Sequence, residues 1–318
     1  MGLLESPSVS TVKRLGNPIS TLLFDSPCQL FTLPGVEGVI GYQLVKRCAI
    51  VMGDPICAAQ DIFQLTHAFH NYAKEQNWTI LYLLVSKAFA NWALEHHMCQ
   101  TSIQVAEELF LDPVHFQPRQ KLRWKVNQAI HSGVKIEESQ NPAPPLLEQL
   151  QATIRVWLRE RHGFQIHLGS FESLLGDPQK RIFYATHNAR VVGVLALSSV
   201  DQHQGWVISG FLALAEAPVG TSEHLICTTI QQLAEEKCSF LCLGVVAGSQ
   251  MGEMVGVHPV VRFLSHAAFQ AIRWLFHLDR RKIYFDKFHP SGTPTYVLCS
   301  GKLSLSGLLA LREVVQHS

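Results

Sequence analysis

Hydrophobic positions in the first part of the chain alternate between strand-length apolar runs and a helical period. The stretch "GVIGYQLVKRCAIVMGDP" at 38–55 predicts two short strands that stop at a Gly-Asp-Pro turn. Apolar side chains then recur near helical spacing at Ile62, Leu65, Phe69 and Tyr72. The continuous apolar run "WTILYLLVS" indicates a strand covered on both faces, and "KAFANWALEHH" predicts a second helix.

The same order returns in the second part of the chain. The stretch at 181–200 predicts a hairpin that turns at His187-Asn188-Ala189, and "GWVISGFLAL" predicts another strand. A helix at 221–237, a buried strand "FLCLGVV", a long helix at 258–278 and a last strand "TPTYVLCS" follow. This is the order of a GNAT-type acyltransferase fold. The sequence therefore predicts two GNAT-like α/β domains in tandem, with mixed central sheets flanked by helices.

A proline-rich segment separates the two parts. Pro142, Pro144 and Pro145 are incompatible with a helix interior or a central strand. We therefore predict an N-terminal extension at 1–19, a first GNAT-like domain at 20–140 and a second one at 141–318. The second domain is expected to carry the active site.

Composition narrows the function classes. The 318 residues are 47% hydrophobic and 16% charged, with a formal net charge of +1. Such a chain has no global basic field for DNA, so any RNA contact must come from a local patch. The eight cysteines show no C-x-x-C spacing and read as buried free thiols of a reducing compartment. The sixteen histidines show no H-x-x-x-H pattern, so we predict no metal and no cofactor.

The N-terminus and the longest apolar runs bear on location. No run approaches the roughly 18 residues that span a bilayer, and the N-terminus lacks a signal-peptide pattern. These observations predict a cytoplasmic protein, with peripheral contact at a membrane as the alternative. Gly2 lies in a loose myristoylation pattern that also arises by chance.

Four stretches, in order, resemble the C-terminal soluble domain of aminoacyl-phosphatidylglycerol synthases. They are "VMGDPI" at 51–56, "KLRWKVNQAIHSGVKI" at 121–136, "APVGTSEHLI…FLCLGVVAG" at 217–248 and "FDKFHPSGTPTYVL" at 285–298. The resemblance implies a tandem GNAT-like fold and transfer of an aminoacyl group from aminoacyl-tRNA to a lipid hydroxyl. Typical members carry a large membrane domain ahead of this region, which this sequence does not show. The acceptor is therefore a phospholipid or another small nucleophile.

Lys287 is the candidate catalytic cation, because the resemblance makes it the motif lysine of the family. An aminoacyl ester is already activated, so transfer mainly needs charge stabilisation at the carbonyl and an aligned hydroxyl. The competing interpretation pairs Lys287 with Asp286 or Asp279 on the surface. Tyr296 follows in the same motif, where it orients substrate or packs in the core. Gly292 stands where the family has a tryptophan.

The turn before the helix at 221–237 is the second candidate. Gly220 permits a tight turn, Thr221 or Ser222 can cap the helix, and Glu223 lies in its first turn. Glu223 is a candidate catalytic residue that binds the donor's α-ammonium group, or else a first-turn acid that favours the helix dipole. An acid here opposes the diphosphate of coenzyme A, which argues against acetyl-CoA. The family's upstream acid and arginine are replaced by Ser209 and Leu212.

Basic and loop segments complete the candidate site. Interleaved cations and Trp124 suit RNA phosphate and base contacts, while the competing pattern is an amphipathic helix that buries Leu122, Val126 and Ile130. A glycine-rich loop at 244–256 follows a buried strand and contributes candidate substrate residues Ser249 and Glu253. The predicted tRNA-binding residues are Arg123, Lys125, Arg273, Arg280 and Arg281.

Three hypotheses for function follow. The first is aminoacyl transfer from aminoacyl-tRNA to a lipid hydroxyl or another small nucleophile. The second is a non-catalytic or repurposed relative that binds a ligand or partner, which the changes at Ser209, Leu212 and Gly292 favour. The third is a coenzyme-A-dependent N-acetyltransferase, which the acidic turn disfavours.

Overall fold

The computed structural model describes residues 7–24, 28–160, 175, 180–248, 252–256 and 279–301. The helices are α1 Pro7–Leu15, α2 Ile62–Glu75, α3 Lys87–Glu95, α4 Gln120–His131, α5 Pro144–Glu160, α6 Thr221–Glu235 and α7 Asp279–Phe285. The strands are β1 Gln29–Phe31, β2 Gly38–Val45, β3 Cys48–Met52, β4 Ile56–Cys57, β5 Thr79–Ser86, β6 Thr101–Leu111, β7 Lys135–Ser139, β8 Arg181–His187, β9 Arg190–Val200, β10 Gly205–Ala213, β11 Leu241–Ala247, β12 Met254–Val255 and β13 Ser291–Cys299. Short 3₁₀ segments include Pro18–Phe24 and Asp286–Phe288.

These strands form one mixed sheet in the order β1-β2-β3-β5-β13-β6-β11-β10-β9-β8-β7. The pairs β3–β5 and β10–β11 are parallel, and the other recorded pairs within the described residues are antiparallel. Each parallel pair is joined by a helix, α2 in the first half and α6 in the second, as parallel strands require. The repeated hairpin, crossover helix and parallel strand confirm the tandem GNAT-like α/β fold class.

The two halves share strands across their junction. β13, the last described strand, lies between β5 and β6, and β6 pairs with both β13 and β11. β7 precedes residue 140 yet pairs with β8 of the second half. The sheet is continuous through residue 140, so the division into two domains at that position stays a prediction.

The sheet is covered on both sides, and we call the sides the first and second faces. The first face carries α2, α3, α4, α6 and α7, whose buried side chains form two clusters on either side of β6. The second face carries α1 and the Pro18–Phe24 segment, which pack on first-half strands and also contact β9, and α5, which packs over β8 and β9. Leu150, Ile154 and Trp157 of α5 pack there against Ile182 and Ala196.

Local sequence explains most of these elements. The predicted hairpin turn at Asn188 and Ala189 is correct, and both residues have positive φ, the combination that matches the twist of a two-residue hairpin. Pro144 and Pro145 form the first turn of α5, where a missing N–H costs nothing, so this segment begins a helix and is not a linker. The predicted helix at 258–278 lies outside the described residues.

β6 at the centre of the sheet has no counterpart among the sequence predictions. Its segment "TSIQVAEELFL" carries Gln104, Glu107 and Glu108, which interrupt the alternation of polar and apolar residues. On α4, Leu122 is buried as predicted, but Ile130 is 49% exposed, so the predicted apolar stripe is wrong at that position. Ala129 is buried in its place, because α4 meets α6 along a slightly rotated stripe.

Candidate active site

Three separate elements on the first face bring a carboxylate and two ammonium groups together. Glu223 lies in the first turn of α6, and Lys125 lies in the middle of α4, which packs against α6. Lys287 lies in the 3₁₀ segment that follows α7. Phe285 and Phe288 on either side of it are each 2% exposed, so the segment is anchored in the core. We call Lys125, Glu223 and Lys287 the lysine–glutamate cluster.

The geometry of this cluster is that of one anion shared by two cations. Lys287 Nζ donates to Glu223 Oε1 at 2.8 Å, and Lys125 Nζ donates to the same oxygen at 3.1 Å. Ser222 Oγ donates to Oε2 at 2.9 Å. The Glu223 side chain is 3% exposed, whereas Lys287 and Lys125 are 34% and 37% exposed. The cluster therefore turns a net positive charge toward solvent over a buried anion.

Electrostatics keeps Glu223 ionised. Burial alone would raise its pKa, but the hydrogen bonds and charge of Lys287, with further bonds from Ser222 and Lys125, lower the pKa to about 2. A carboxylate with so low a pKa is a poor proton acceptor. It is suited to holding the two ammonium groups in place.

Gly220 sets the distance between α4 and α6. Its φ is +89°, and a Cβ built on it would lie 2.0 Å from the backbone oxygen of Lys125. Only glycine accepts both this conformation and this contact. The sequence predicted a tight turn at Gly220, and the structure shows that the turn also seats α4 so that Lys125 reaches Glu223.

Tyr284 lies beneath the cluster and was missed by the sequence analysis. Lys287 Nζ lies 4.3 Å from the centroid of its ring, a cation–π contact. Its hydroxyl is buried, without a hydrogen bond of good geometry in the described residues, and the Ser222 side chain is close enough to act on it. Burial raises the pKa of Tyr284, so the hydroxyl stays protonated. The sequence does contain a signal for this contact, because Tyr284 is an aromatic residue one helical turn before Lys287.

The structure corrects several local expectations. Lys287 pairs with Glu223 and not with Asp286. Neither Thr221 nor Ser222 caps α6: Thr221 Oγ1 donates to the carbonyl oxygen of Pro218, and Ser222 bonds Glu223. Lys125, expected to face RNA, is turned inward to the carboxylate.

The other predicted site residues lie apart from this cluster. Tyr296 is buried in the first-half core between α2 and α3. Burial raises its pKa, and the nearby charge of Glu253 adds to the effect. Glu253 is exposed, and its carbonyl oxygen accepts from the Gln104 backbone N–H. Arg123 is exposed on α4, and the Arg281 guanidinium lies over Phe285. For Arg280 only the backbone is described, and Ser249 and Arg273 lie outside the described residues.

The two positions that depart from the family pattern lie in β10. Ser209 Oγ donates to the Ala196 carbonyl oxygen at 3.3 Å. Leu212 is 2% exposed and packs in the apolar cluster under α5. An arginine at 212 would be buried against α5, so the leucine fits the packing of this chain. Gly292 is in β13 and lies opposite Leu109 of β6.

Two features are absent from the described residues. No helix among them is both long enough and apolar enough to cross a membrane. No group of three or more His, Cys, Asp or Glu side chains in the described ranges is arranged to hold a metal ion.

Comparison with known proteins places this chain in a family. The family model described as "Phosphatidylglycerol lysyltransferase, C-terminal" matches residues 10–299, which include the whole lysine–glutamate cluster. The phosphatidylglycerol lysyltransferase of Staphylococcus aureus (strain MRSA252) is 20% identical over 308 residues, which cover 95% of this chain and 36% of that protein. That of Staphylococcus epidermidis (strain ATCC 12228) is 18% identical over 308 residues with the same coverage. The chain thus spans about a third of the length of these relatives.

Solved structures show the same fold. The C-terminal domain of a lysylphosphatidylglycerol synthetase from Agrobacterium fabrum superposes with a TM-score of 0.78 at 17% identity, covering 96% of this chain and 94% of that one. The L-PGS of Bacillus licheniformis gives 0.79 at 17% identity, with 99% and 98% covered. FemX gives 0.55 at 10% identity, with 99% of each chain covered.

Proposed function

Because this chain belongs to the family of phosphatidylglycerol lysyltransferase C-terminal regions, we propose that it transfers an aminoacyl group from aminoacyl-tRNA to a lipid hydroxyl. The observation that carries the proposal is the lysine–glutamate cluster, which lies within the matched residues and presents two fixed ammonium groups. The relatives' names give an aminoacyl group and a lipid acceptor, the resemblance of the sequence motifs implies aminoacyl-tRNA as the donor, and the cluster supplies chemistry that fits an ester transfer.

The reaction asks little covalent chemistry of the protein. The acceptor hydroxyl attacks the ester carbonyl carbon, the bond from that carbon to the ribose oxygen of the tRNA end breaks, and the hydroxyl proton ends on the departing ribose oxygen. Negative charge develops on the carbonyl oxygen in between. Fixed donors aimed at such an oxyanion are the largest single contribution to many acyl transfers.

Lys287 and Lys125 are the donors we assign to that oxyanion. Each ammonium has three N–H groups and gives one to Glu223, so others remain for a substrate oxygen. Both side chains are about one-third exposed, which leaves them accessible from outside the sheet. We assign Glu223 a positioning role, since its pKa of about 2 makes it a poor base.

Approach of the tRNA is assigned to the exposed side of α4. Trp124 is 62% exposed there, and Arg123 and Lys121 are exposed next to it. Cations beside an exposed aromatic side chain suit the phosphates and unpaired bases of a single-stranded acceptor end. α4 also carries Lys125, so a base stacked on Trp124 would deliver its ester toward the cluster.

The test is a transfer assay with purified chain, radiolabelled aminoacyl-tRNAs and phosphatidylglycerol vesicles. We expect label to move from tRNA to lipid, and Lys287→Ala to slow the transfer by roughly 10²–10³-fold, the typical loss of one oxyanion donor. Lys282→Ala is the matched control, because Lys282 lies one turn earlier and pairs with Glu107. Label that leaves the tRNA no faster than in buffer would reject the proposal.

The second candidate function is ligand binding without catalysis. It is favoured by the packing of Leu212 and the neutral Ser209 at positions where the family pattern has charges. This candidate predicts aminoacyl-tRNA binding, measured by filter retention, with no transfer in the same assay. Acetyl-CoA in place of aminoacyl-tRNA tests the third hypothesis in parallel.

A further inference from the structure

A second polar cluster lies on the opposite, second face of the sheet, where the two halves join. It consists of Asp54 after β3, Glu108 in β6, Cys242 in β11 and Thr295 in β13, and we call it the junction cluster. Cys242 Sγ lies 3.8 Å from Glu108 Oε1, and the charge of Asp54 acts on Glu108. The proposed transfer mechanism uses none of these side chains.

Strand register directs Thr295 into this cluster. Thr295 lies opposite Ala106 of β6, and Thr293 lies opposite Glu108, with no irregularity between these two pairs. Side chains of opposed residues share a face, and so do residues two apart on a strand. Thr295 is therefore a diagonal neighbour of Glu108 on the second face. It is 3% exposed, and its hydroxyl has no hydrogen-bond partner in the described part of the chain.

The carboxylates of the junction cluster have few partners. Asp54 is bonded by Ser86, whose backbone N–H donates to Oδ1 at 2.8 Å and whose side chain also acts on it, and Glu108 has only the weak thiol contact. Within the described ranges no lysine, arginine or histidine bonds either of them, and the nearby Arg281 acts on Cys242. Burial raises the pKa of both carboxyl groups, that of Glu108 to about 7, and the Asp54 charge adds to the shift of Glu108. Two carboxylates and a hydroxyl therefore lie together with no cation bonded to them in the described ranges.

The surroundings enclose this place, and two neighbouring strands part beside it. The Pro18–Phe24 segment packs over the second face, and Ile19 lies against Gly53, next to Asp54. β10 and β11 pair only at Trp206 with Leu241 and at Val207 with Cys242, although both strands continue for several residues. The pairing of the two strands therefore ends beside Cys242, a member of the junction cluster.

We propose that the junction cluster binds the primary ammonium group of a small ligand. An ammonium has three N–H donors, and Asp54, Glu108 and Thr295 supply three acceptors for them. Glu223 is not free for this role, because both of its oxygens are already bonded.

Direct binding tests the site without tRNA. Isothermal titration calorimetry at pH 7 compares glycinamide with N-acetylglycinamide, which lacks the ammonium. We expect the wild type to bind glycinamide, Glu108→Gln and Asp54→Asn to bind it at least tenfold more weakly, and N-acetylglycinamide not to bind. Glu107→Gln is the matched control, because Glu107 is adjacent in β6, points to the first face and pairs with Lys282. Equal binding of the two amides, or no loss in Glu108→Gln, overturns the proposal.

A pH series sharpens the assignment to Glu108. The groups that face it are Asp54 and Cys242, and Arg281 acts on Cys242 from α7. Burial holds the Cys242 pKa well above its ordinary value, so the thiol stays neutral. n-Butylamine stays charged between pH 5.5 and 8.5, as a lysine side chain does. Its affinity should rise about tenfold per pH unit below pH 7 and level off above it, while the Glu108→Gln variant stays flat. A flat wild type overturns the role of Glu108.

Discussion

Glu223 in the first turn of α6 and Glu108 in β6 are glutamates whose pKa values shift in opposite directions. Glu223 on the first face is bonded by two ammonium groups and a hydroxyl, and its pKa falls to about 2. Glu108 on the second face has a thiol and a second carboxylate beside it, and its pKa rises to about 7. Both are removed from water, so burial does not separate them. The identity of the neighbours decides whether a buried carboxylate is a permanent anion or a titrating one.

The difference suits two roles. A permanently ionised Glu223 fixes the positions of Lys287 and Lys125, which is what a preorganised oxyanion site requires. An uncompensated pair such as Asp54 and Glu108 is costly until a cation arrives, which is what a site for an ammonium requires. Buried carboxylates without a bonded cation in the middle of a sheet are expected at functional sites and rarely elsewhere.

The largest expected effect on stability comes from Glu223→Gln. The change removes the anion between two ammonium groups, so we expect the free energy of unfolding at pH 7 to fall by about 2–4 kcal/mol. The pKa of Glu223 is depressed from 4.5 to about 2, so its contribution is present above pH 4.5 and disappears as pH falls toward 2. Urea unfolding at pH 7 and pH 3 measures both. A loss that is the same at both pH values contradicts the ion-pair origin.

Gly220→Ala breaks the lysine–glutamate cluster without changing a charge. Its Cβ would meet the Lys125 backbone oxygen and requires positive φ, so α4 has to move. We expect a loss of about 2–3 kcal/mol in the free energy of unfolding and a fall in transfer activity. Gly133→Ala is the control for positive φ alone, because nothing lies within 4 Å of its Cβ position. Equal losses in the two variants would mean that contact with α4 is unimportant.

Glu108→Gln should change stability in the opposite direction to Glu223→Gln. Its folded pKa of about 7 exceeds 4.5, so the folded state holds a proton that the unfolded state lacks between these values, and stability falls as pH rises through them. The glutamine side chain of the Glu108→Gln variant carries no charge, so it avoids the cost of burying an ionised carboxylate. We expect a gain of about 1–3 kcal/mol at pH 8 and almost none at pH 4.5, by urea unfolding at both pH values. If Glu108→Gln destabilises the protein at pH 8, the Glu108 carboxylate is stabilised by its neighbours and this prediction is wrong.

The smallest expected effect on stability is that of Trp124→Ala, which probes the approach to the first face. Trp124 is mostly exposed, so the free energy of unfolding should change by no more than about 0.5 kcal/mol. Loss of a stacked base should raise KM for aminoacyl-tRNA about tenfold and leave KM for lipid unchanged. Ile130→Ala, an exposed apolar residue later on α4, serves as the control. Identical kinetics in both variants would remove Trp124 from the tRNA path.

Strand β6 shows that prediction from the hydrophobic pattern is weakest where polar side chains of a site interrupt the pattern. β5 and β11 were predicted because their apolar runs are continuous, and the hairpin at 181–200 because alternation and turn residues agree. β6 lies between β13 and β11 but carries Gln104, Glu107 and Glu108, and its pattern predicts no strand. Glu107 faces Lys282 on the first face of the sheet, and Glu108 faces the junction cluster on the second face.

The sequence by itself determined the elements that depend on neighbours along the chain: the hairpins, the amphipathic helices, the turn at Gly220 and the candidacy of Lys287 and Glu223. Tertiary structure alone decided that Lys125 on α4 and Lys287 after α7 would both reach Glu223 on α6, and that Asp54 would act on Glu108 across the junction. The physical reason is that strand order and helix packing bring together residues far apart along the chain, such as Lys125 and Glu223 at 98 positions, and no local period encodes such a distance.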